Sequence, residues 1–165
     1  MKRGALIFVL LVAACGAPQA STRESPSAAA TAPAATPSPT AAPAKAPTLT
    51  ASASRYGRIV VDASGRTLYL FDAETAGVPR CYGACAAAWP PLLTASDPVA
   101  APDLAQTLVA TATRSDGSTQ VTYNGHPLYY WAGDHAPGEI GCQAAIEYGG
   151  GWYVLDAQGG KVSRP

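Results

Sequence analysis

Beyond residue 55 the apolar residues of this chain fall in short alternating runs, not at helical spacing. RIVV (58–61) and RTLYLF (66–71) are divided by the turn cluster DASG, while TLVATATR (107–114), STQVTY (118–123) and HPLYYW (126–131) are divided by SDG and NG. A last run, WYVLD (152–156), precedes AQGG. Short runs rich in Val, Thr, Tyr and Phe, punctuated by Gly, Asn, Asp and Ser, are strand and turn signals. Asn124-Gly125 is the strongest of them, because both central positions of a type I′ turn take positive φ. The pattern predicts a three-strand meander from about Leu108 to Trp131 and one short helical turn in CYGACAAAW, stopped by Pro90 and Pro91. The expected fold is mainly β, a small and mostly antiparallel domain.

The same pattern is written twice. LYLFDAETAG (68–77) lies over LYYWAGDHAP (128–137), so that Leu68 matches Leu128, Tyr69 matches Tyr129, Phe71 matches Trp131 and Glu74 matches Asp134. Gly65 matches Gly125 ahead of them; behind them Cys81 comes within one position of Cys142, and Trp89 pairs with Trp152 after small gaps. These matches bound repeat 1 at about 56–94 and repeat 2 at about 119–156. A lone hairpin cannot bury its apolar face, so two such units are expected to pack with a pseudo-twofold relation.

The N-terminal third adds a compartment. MKRGALIFVLLVAAC carries Lys2 and Arg3, an apolar run from Ala5 to Val12 and small residues up to Cys15. That is a secretory signal in order and size, too short to remain as a spanning helix. Its ending, VAAC, resembles a bacterial lipobox, which implies a signal peptide over 1–14 and acylation of Cys15, palmitate-like chains holding the mature chain on a membrane. Residues 15–54 are almost entirely Ala, Pro, Ser and Thr without an aromatic side chain, and are expected to form a disordered tether. The folded domain is then 55–165. Formal neutrality of the chain hides an asymmetry: four of its eleven basic residues and one of its eleven acids precede residue 55, leaving the domain with seven basic and ten acidic side chains, a net of −3. Without a basic run, nucleic acid is excluded as an expected partner.

The doubled Yx[FWY]xx[DE], the segment CYGACAAAWPP and the lipoprotein leader together resemble the bacterial family of predicted lipoproteins with a Yx(FWY)xxD motif, a secreted tandem repeat of unknown function. The resemblance covers nearly the whole domain and implies an exported, lipid-anchored protein on the cell membrane or outer membrane; it implies no activity. Tyr129, Trp131 and Asp134 meet the motif, whereas Tyr69, Phe71 and Glu74 depart from it by using Glu for Asp. In an exported chain a structural disulfide is the default use of cysteine. Cys81 and Cys85 fit a local bridge, and Cys142 with either of them would close a longer loop; the local pair is favoured because its motif belongs to the family resemblance.

Three roles suit the motif acids: locking their loops by accepting hydrogen bonds from amides or a tyrosine, holding a cation together with the other copy's acid and tyrosines, or lining an aromatic ligand cleft. Glu74, Asp134 and His135 are the candidate metal ligands, and His126 is the only other histidine. Trp89 and Trp152 are expected as core residues. No nucleophile elbow, phosphate-binding glycine loop, HExxH or zinc spacing occurs in the sequence. The expectation is therefore a non-enzymatic envelope lipoprotein without a cofactor, binding an envelope protein or small ligand. The alternative is a metal- or redox-linked accessory protein using the tyrosines, acids and remaining thiol.

Overall fold

A computed structural model describes Ala46 and residues 48–165 apart from Ala76. The leader, Cys15 and the tether up to residue 45 lie outside the described residues. Nine strands are described, namely β1 (Thr48–Ser54), β2 (Gly57–Asp62), β3 (Tyr69–Phe71), β4 (Val99–Ala100), β5 (Val109–Thr113), β6 (Thr119–Tyr123), β7 (His126–Pro127), β8 (Ala145–Glu147) and β9 (Gly150–Val154), with one α-helix, α1 (Ala84–Ala88), and a 3-10 turn at Gln106–Leu108. They form three small sheets ordered β2-β1-β4, β3-β9-β8 and β5-β6-β7, all pairs antiparallel except β1 with β4. The domain is mainly β, as the alternation predicts. The meander is β5-β6-β7, and its Asn124-Gly125 turn has both φ positive, at 49° and 75°.

One boundary differs. Thr48–Ser54, expected as the end of the tether, is strand β1, paired with β2 from Leu49↔Asp62 to Ser54↔Gly57. Its Ala, Ser and Thr share the tether's composition, and Leu49, fully buried, is its single large apolar residue. What makes it a strand is the partner strand laid along it, which residue composition does not record. By the same register β5 is the counterpart of β1, so each repeat is one strand longer at its N-terminal end than the matched phrases suggest.

The two repeats are interlocked. β3, from the first repeat, pairs with β9 of the second through Tyr69↔Val154 and Phe71↔Trp152. Reciprocally, Tyr130 N–H donates to Pro90 O (2.8 Å) and Ala132 N–H to Ala88 O (2.9 Å), so the second repeat's aromatic strand runs beside the first repeat's tryptophan segment. The exchange continues outward: Val60 N–H donates to Leu155 O (3.0 Å), and its counterpart Val121 N–H donates to Leu92 O (2.9 Å). Each repeat thus completes the other's hydrogen-bond ladder.

Strand alternation sorts the core onto two faces. Tyr69, Phe71 and Tyr129 point into an aromatic cluster with Trp89, Trp152 and Val154. Leu68, Leu70 and Leu128 point the other way, into an aliphatic cluster with Val60, Leu92, Val121 and Leu155. Trp89 and Trp152 are both fully buried. Each withdraws on the order of 200 Å² from water, worth about 5 kcal/mol at ~25 cal/mol per Å².

Because each repeat supplies the strand that closes the other, fragments 46–94 and 109–165 should each be unfolded alone and should assemble one-to-one when mixed. Circular dichroism and amide chemical-shift dispersion of the fragments, separate and combined, check this. A dispersed spectrum from either fragment alone would contradict the interlock.

Candidate functional site

The repeated tyrosines meet at the centre of the domain. Tyr69 N–H donates to Tyr129 O (2.8 Å) and Tyr129 N–H donates to Tyr69 O (2.9 Å), a reciprocal antiparallel pair through which the pseudo-twofold axis passes. Directly opposed residues of such a pair project their side chains from the same face. Each phenol then reaches the acid of the opposite repeat. Tyr69 Oη donates to Asp134 Oδ2 (2.6 Å), and Tyr129 Oη donates to Glu74 Oε1 (2.5 Å).

Local turns aim the acids. Glu74 N–H donates to Phe71 O and Asp134 N–H to Trp131 O, both at 3.1 Å, turning each loop back as its strand ends. A loop amide then meets each carboxylate: Arg80 N–H at Glu74 Oε1 (2.7 Å) and Gly141 N–H at Asp134 Oδ1 (2.8 Å). The Glu-for-Asp departure has a definite consequence here. Asp134 places the phenol on one oxygen and the amide on the other, whereas the longer Glu74 takes both on Oε1; its buried Oε2 has no well-formed hydrogen bond among the described residues, with the Cys81 backbone amide a further donor toward the carboxyl.

A buried cation accompanies Glu74. Arg114 is 3% exposed, donates from Nη1 to Gln120 Oε1 (2.6 Å) and from Nη2 to Cys81 O (2.7 Å), and stacks over Tyr82. Its charge acts on both Glu74 and Tyr129. On the other side Arg66 plays the lesser part, with Nη2 3.4 Å from Asp134 O.

The aromatic rings repeat the symmetry. Phe71, Trp152 and Trp89 form a continuous stack, with centroids 4.3 and 4.0 Å apart and planes within 8° and 7°; Trp131 completes it beside Trp89 at 6.4 Å. Tyr69 meets Trp89 edge-on at 5.3 Å, and Tyr129 meets Trp152 edge-on at 5.2 Å. The edge-to-face contacts of the tyrosines suit the ring quadrupoles.

Burial raises the pKa of both carboxyls above the usual carboxylate range, Asp134 and Glu74 alike, although the phenol and amide donors pull the other way. Burial, then the facing carboxylate, raises both phenols well above the ordinary tyrosine value, so the tyrosines remain donors at any physiological pH. The arrangement is a pair of crossed, desolvated hydrogen bonds, and its chemistry is that of a lock. Of the three roles open to the acids, the geometry realises the first, with one addition: the tyrosine accepted by each acid belongs to the other repeat.

The remaining candidates fall around this centre. Cys81 and Cys85 form a disulfide across α1, with Cα atoms 5.2 Å apart, and Cys142 is buried outside that bond at the position corresponding to Cys81. His135 is exposed beside Asp134, with its amide on Glu139 Oε2; His126 lies in β7, half-buried, its pKa lowered by burial and then by Lys161. No group of three or more His, Cys, Asp or Glu that could hold a metal ion occurs among the described residues. Arg114 and Gln120 join the site without a motif to mark them, since an Arg ending a strand before Ser-Asp-Gly is ordinarily solvated. The only hint was the odd polar pair in an otherwise Ala-, Val- and Thr-rich hairpin.

A family model described as a secreted repeat of unknown function matches this chain twice, over residues 50–93 and 110–156. The two matches begin within the N-terminal strands β1 and β5 and end beyond the tryptophan segments, so they coincide with the interlocked units. No curated protein and no solved structure matches the chain.

Two measurements test the lock. Tyr69→Phe strands Asp134 Oδ2, whereas Tyr129→Phe leaves Glu74 Oε1 the Arg80 amide, so the first should cost about 1–3 kcal/mol and the second about 1 kcal/mol, read from urea midpoints at unchanged slope. An acid whose pKa is higher in the folded chain binds more protons there. Its contribution is therefore whole below the unfolded value of about 4 and declines as pH rises toward the folded value. Wild-type stability relative to Asp134→Asn and Glu74→Gln should accordingly fall as pH climbs from about 4; a difference independent of pH would show that neither acid is perturbed.

Proposed function

This chain belongs to the family of secreted repeats of unknown function, and on that premise we propose that it is an exported lipoprotein whose double repeat is a rigid, non-enzymatic binding module. The observation that carries the reading is the consumption of the motif: Tyr69, Glu74, Tyr129 and Asp134 are all buried and bonded to one another across the repeats. Side chains spent on each other are positioned to hold a shape. Recognition then falls to the loops and strand faces that this rigid centre displays.

The leader supports the placement. Lys2, Arg3, the apolar run to Val12 and the small residues before Cys15 suit export followed by acylation. The Ala/Pro/Ser/Thr segment after Cys15 suits a spacer that lifts the domain off the membrane toward an envelope protein or small ligand. No helix among the described residues is long and apolar enough to cross a membrane.

Two outcomes are expected. Cys15→Ser should move the protein from the membrane fraction to the soluble one; retention in the membrane would remove the lipid anchor from the reading. Metal analysis and an absorption spectrum of the chain purified from its native host should show neither a stoichiometric metal nor a visible chromophore. Either one would replace the binding module with the metal- or redox-linked accessory protein.

A further inference from the structure

The pseudo-symmetry gives every position in one half a counterpart in the other, and one region breaks the correspondence. The reciprocal bonds of Val60 and Val121 fix the register, so Ile59 on β2 corresponds to Gln120 on β6. The strand pairings then make Ser52, opposite Ile59, the counterpart of Ala112, opposite Gln120, and Ser54 the counterpart of Arg114. The loop carbonyls and amides agree: Arg80 and Gly141 occupy matching places on the two acids, which aligns Pro79 with Ile140 and Tyr82 with Gln143.

In the second half this region is filled. Arg114 lies across the hairpin face, its guanidinium held by Gln120 Oε1 and Cys81 O, with the ring of Tyr82 laid over it. In the first half all three fillers are replaced. Ser54 is too short to cross the face, Ile59 offers no oxygen, and Gln143 turns away to bond Val162 O (2.7 Å) and Arg164 O (2.8 Å). What remains is a cleft of about 230 Å³ on the β1-β2 face, walled by Gly138 and Ile140. That is the share of roughly eight waters, below the ~300 Å³ at which drug-sized ligand sites begin.

The lining decides the polarity of an occupant. Ile59, Val61 and Ile140 supply an apolar bed; Ser52, Ser54 and Thr67 bring hydroxyls; Arg55 is the only charged side chain in the lining. The Ser54 and Thr67 hydroxyls already donate, to Gly57 O and Glu139 O. Arg55 is lightly held, with one long contact from Nη2 to Ile140 O (3.4 Å) and its guanidinium over the Tyr56 ring. A cation like the one filling the other half would meet Arg55 and would lack the Gln120 oxygen. A carboxylate would find a guanidinium with no ion-pair partner among the described residues, and a small apolar body would cover the bed.

We propose that this cleft is a binding site for a small organic monoanion, an aromatic or short aliphatic carboxylate seated where Arg114 fills the other half, with Arg55 as its counter-ion. The inference deepens the binding-module reading and rests on it, while the lipid anchor and metal content are tested independently of this cleft.

The probes are benzoate, with benzamidine as the cationic isostere, titrated into the purified full chain and followed by amide chemical shifts. Benzoate should shift the amides of Ser54, Arg55 and Ile140 saturably, and benzamidine should not. Arg55→Ala should weaken benzoate binding about tenfold, the loss of one charge-assisted bond, and Arg55→Lys should restore part of it. Should Arg55→Ala disturb the fold, Ser52→Phe fills the cleft without touching Arg55 and should abolish the shifts. Absence of saturable shifts, shifts centred elsewhere, an equal response to benzamidine or indifference to both variants would each overturn the assignment. An empty cleft in a metal-free, membrane-anchored protein would remove this site alone and leave recognition to another surface.

Discussion

The two backbone hydrogen bonds between Tyr69 and Tyr129 are the constraint on which the rest of the molecule depends. They place the repeats antiparallel at one residue pair, and a twofold relation at that pair fixes where every other equivalent must meet. Each phenol then lies on the same side of the ladder as its twin and points past it to the far loop. A shift of one residue would turn both tyrosines to the aliphatic face and take the phenol donor from each of two buried carboxyls. Register, loop position and polar satisfaction are therefore one condition, met together or lost together.

Burying two acids in a domain of this size requires such a condition, because a desolvated carboxylate is costly unless its oxygens are paired. Asp134 meets the requirement fully, with one donor on each oxygen. Glu74 takes both of its short bonds on one oxygen, and it is on this side that the chain has placed a buried guanidinium, itself held by Gln120 and the Cys81 carbonyl. The two halves thus solve one electrostatic problem by different means. The Arg114 solution also fills the hairpin face, and its absence from the first half is the reason that face is open.

The tryptophans explain why the repeats interlock instead of sitting side by side. Trp89 and Trp152 stack on each other at the axis, and each repeat sends its tryptophan across to the other's second motif aromatic, Trp152 onto Phe71 and Trp89 beside Trp131. A repeat alone would expose one indole, the aromatic edge of a strand and an unpaired row of amides, and three short strands are near the lower limit for independent stability. The disulfide stiffens one crossing segment, at α1, while the matching segment of the second repeat holds Cys142 and runs into the β8-β9 hairpin. Apart from Glu74 in the place of Asp134, the repeats differ most in these crossing loops and on the hairpin faces.

Much of this was legible in the residues. Alternation and turn chemistry are local properties, so β2, β3, β5, β6, β9, the short helix and the Asn124-Gly125 turn could be read directly. The doubled phrase, with an acid at a fixed offset from a tyrosine, carried the symmetry, the tryptophan cores and the family. Composition misled only at Thr48–Ser54, where Ala, Ser and Thr serve a tether and a covered strand equally well. What the sequence left open was partnership. An acid three residues past an aromatic can serve its own loop, a cation or a ligand, and nothing local says that it will accept the other repeat's phenol. That choice, the burial of Arg114 and the opening of the cleft above Ile59 arise between segments distant in the chain. They were decided when two copies of one strand met about an axis, because hydrogen-bond partners and desolvation are properties of the assembled pair and not of either stretch of chain.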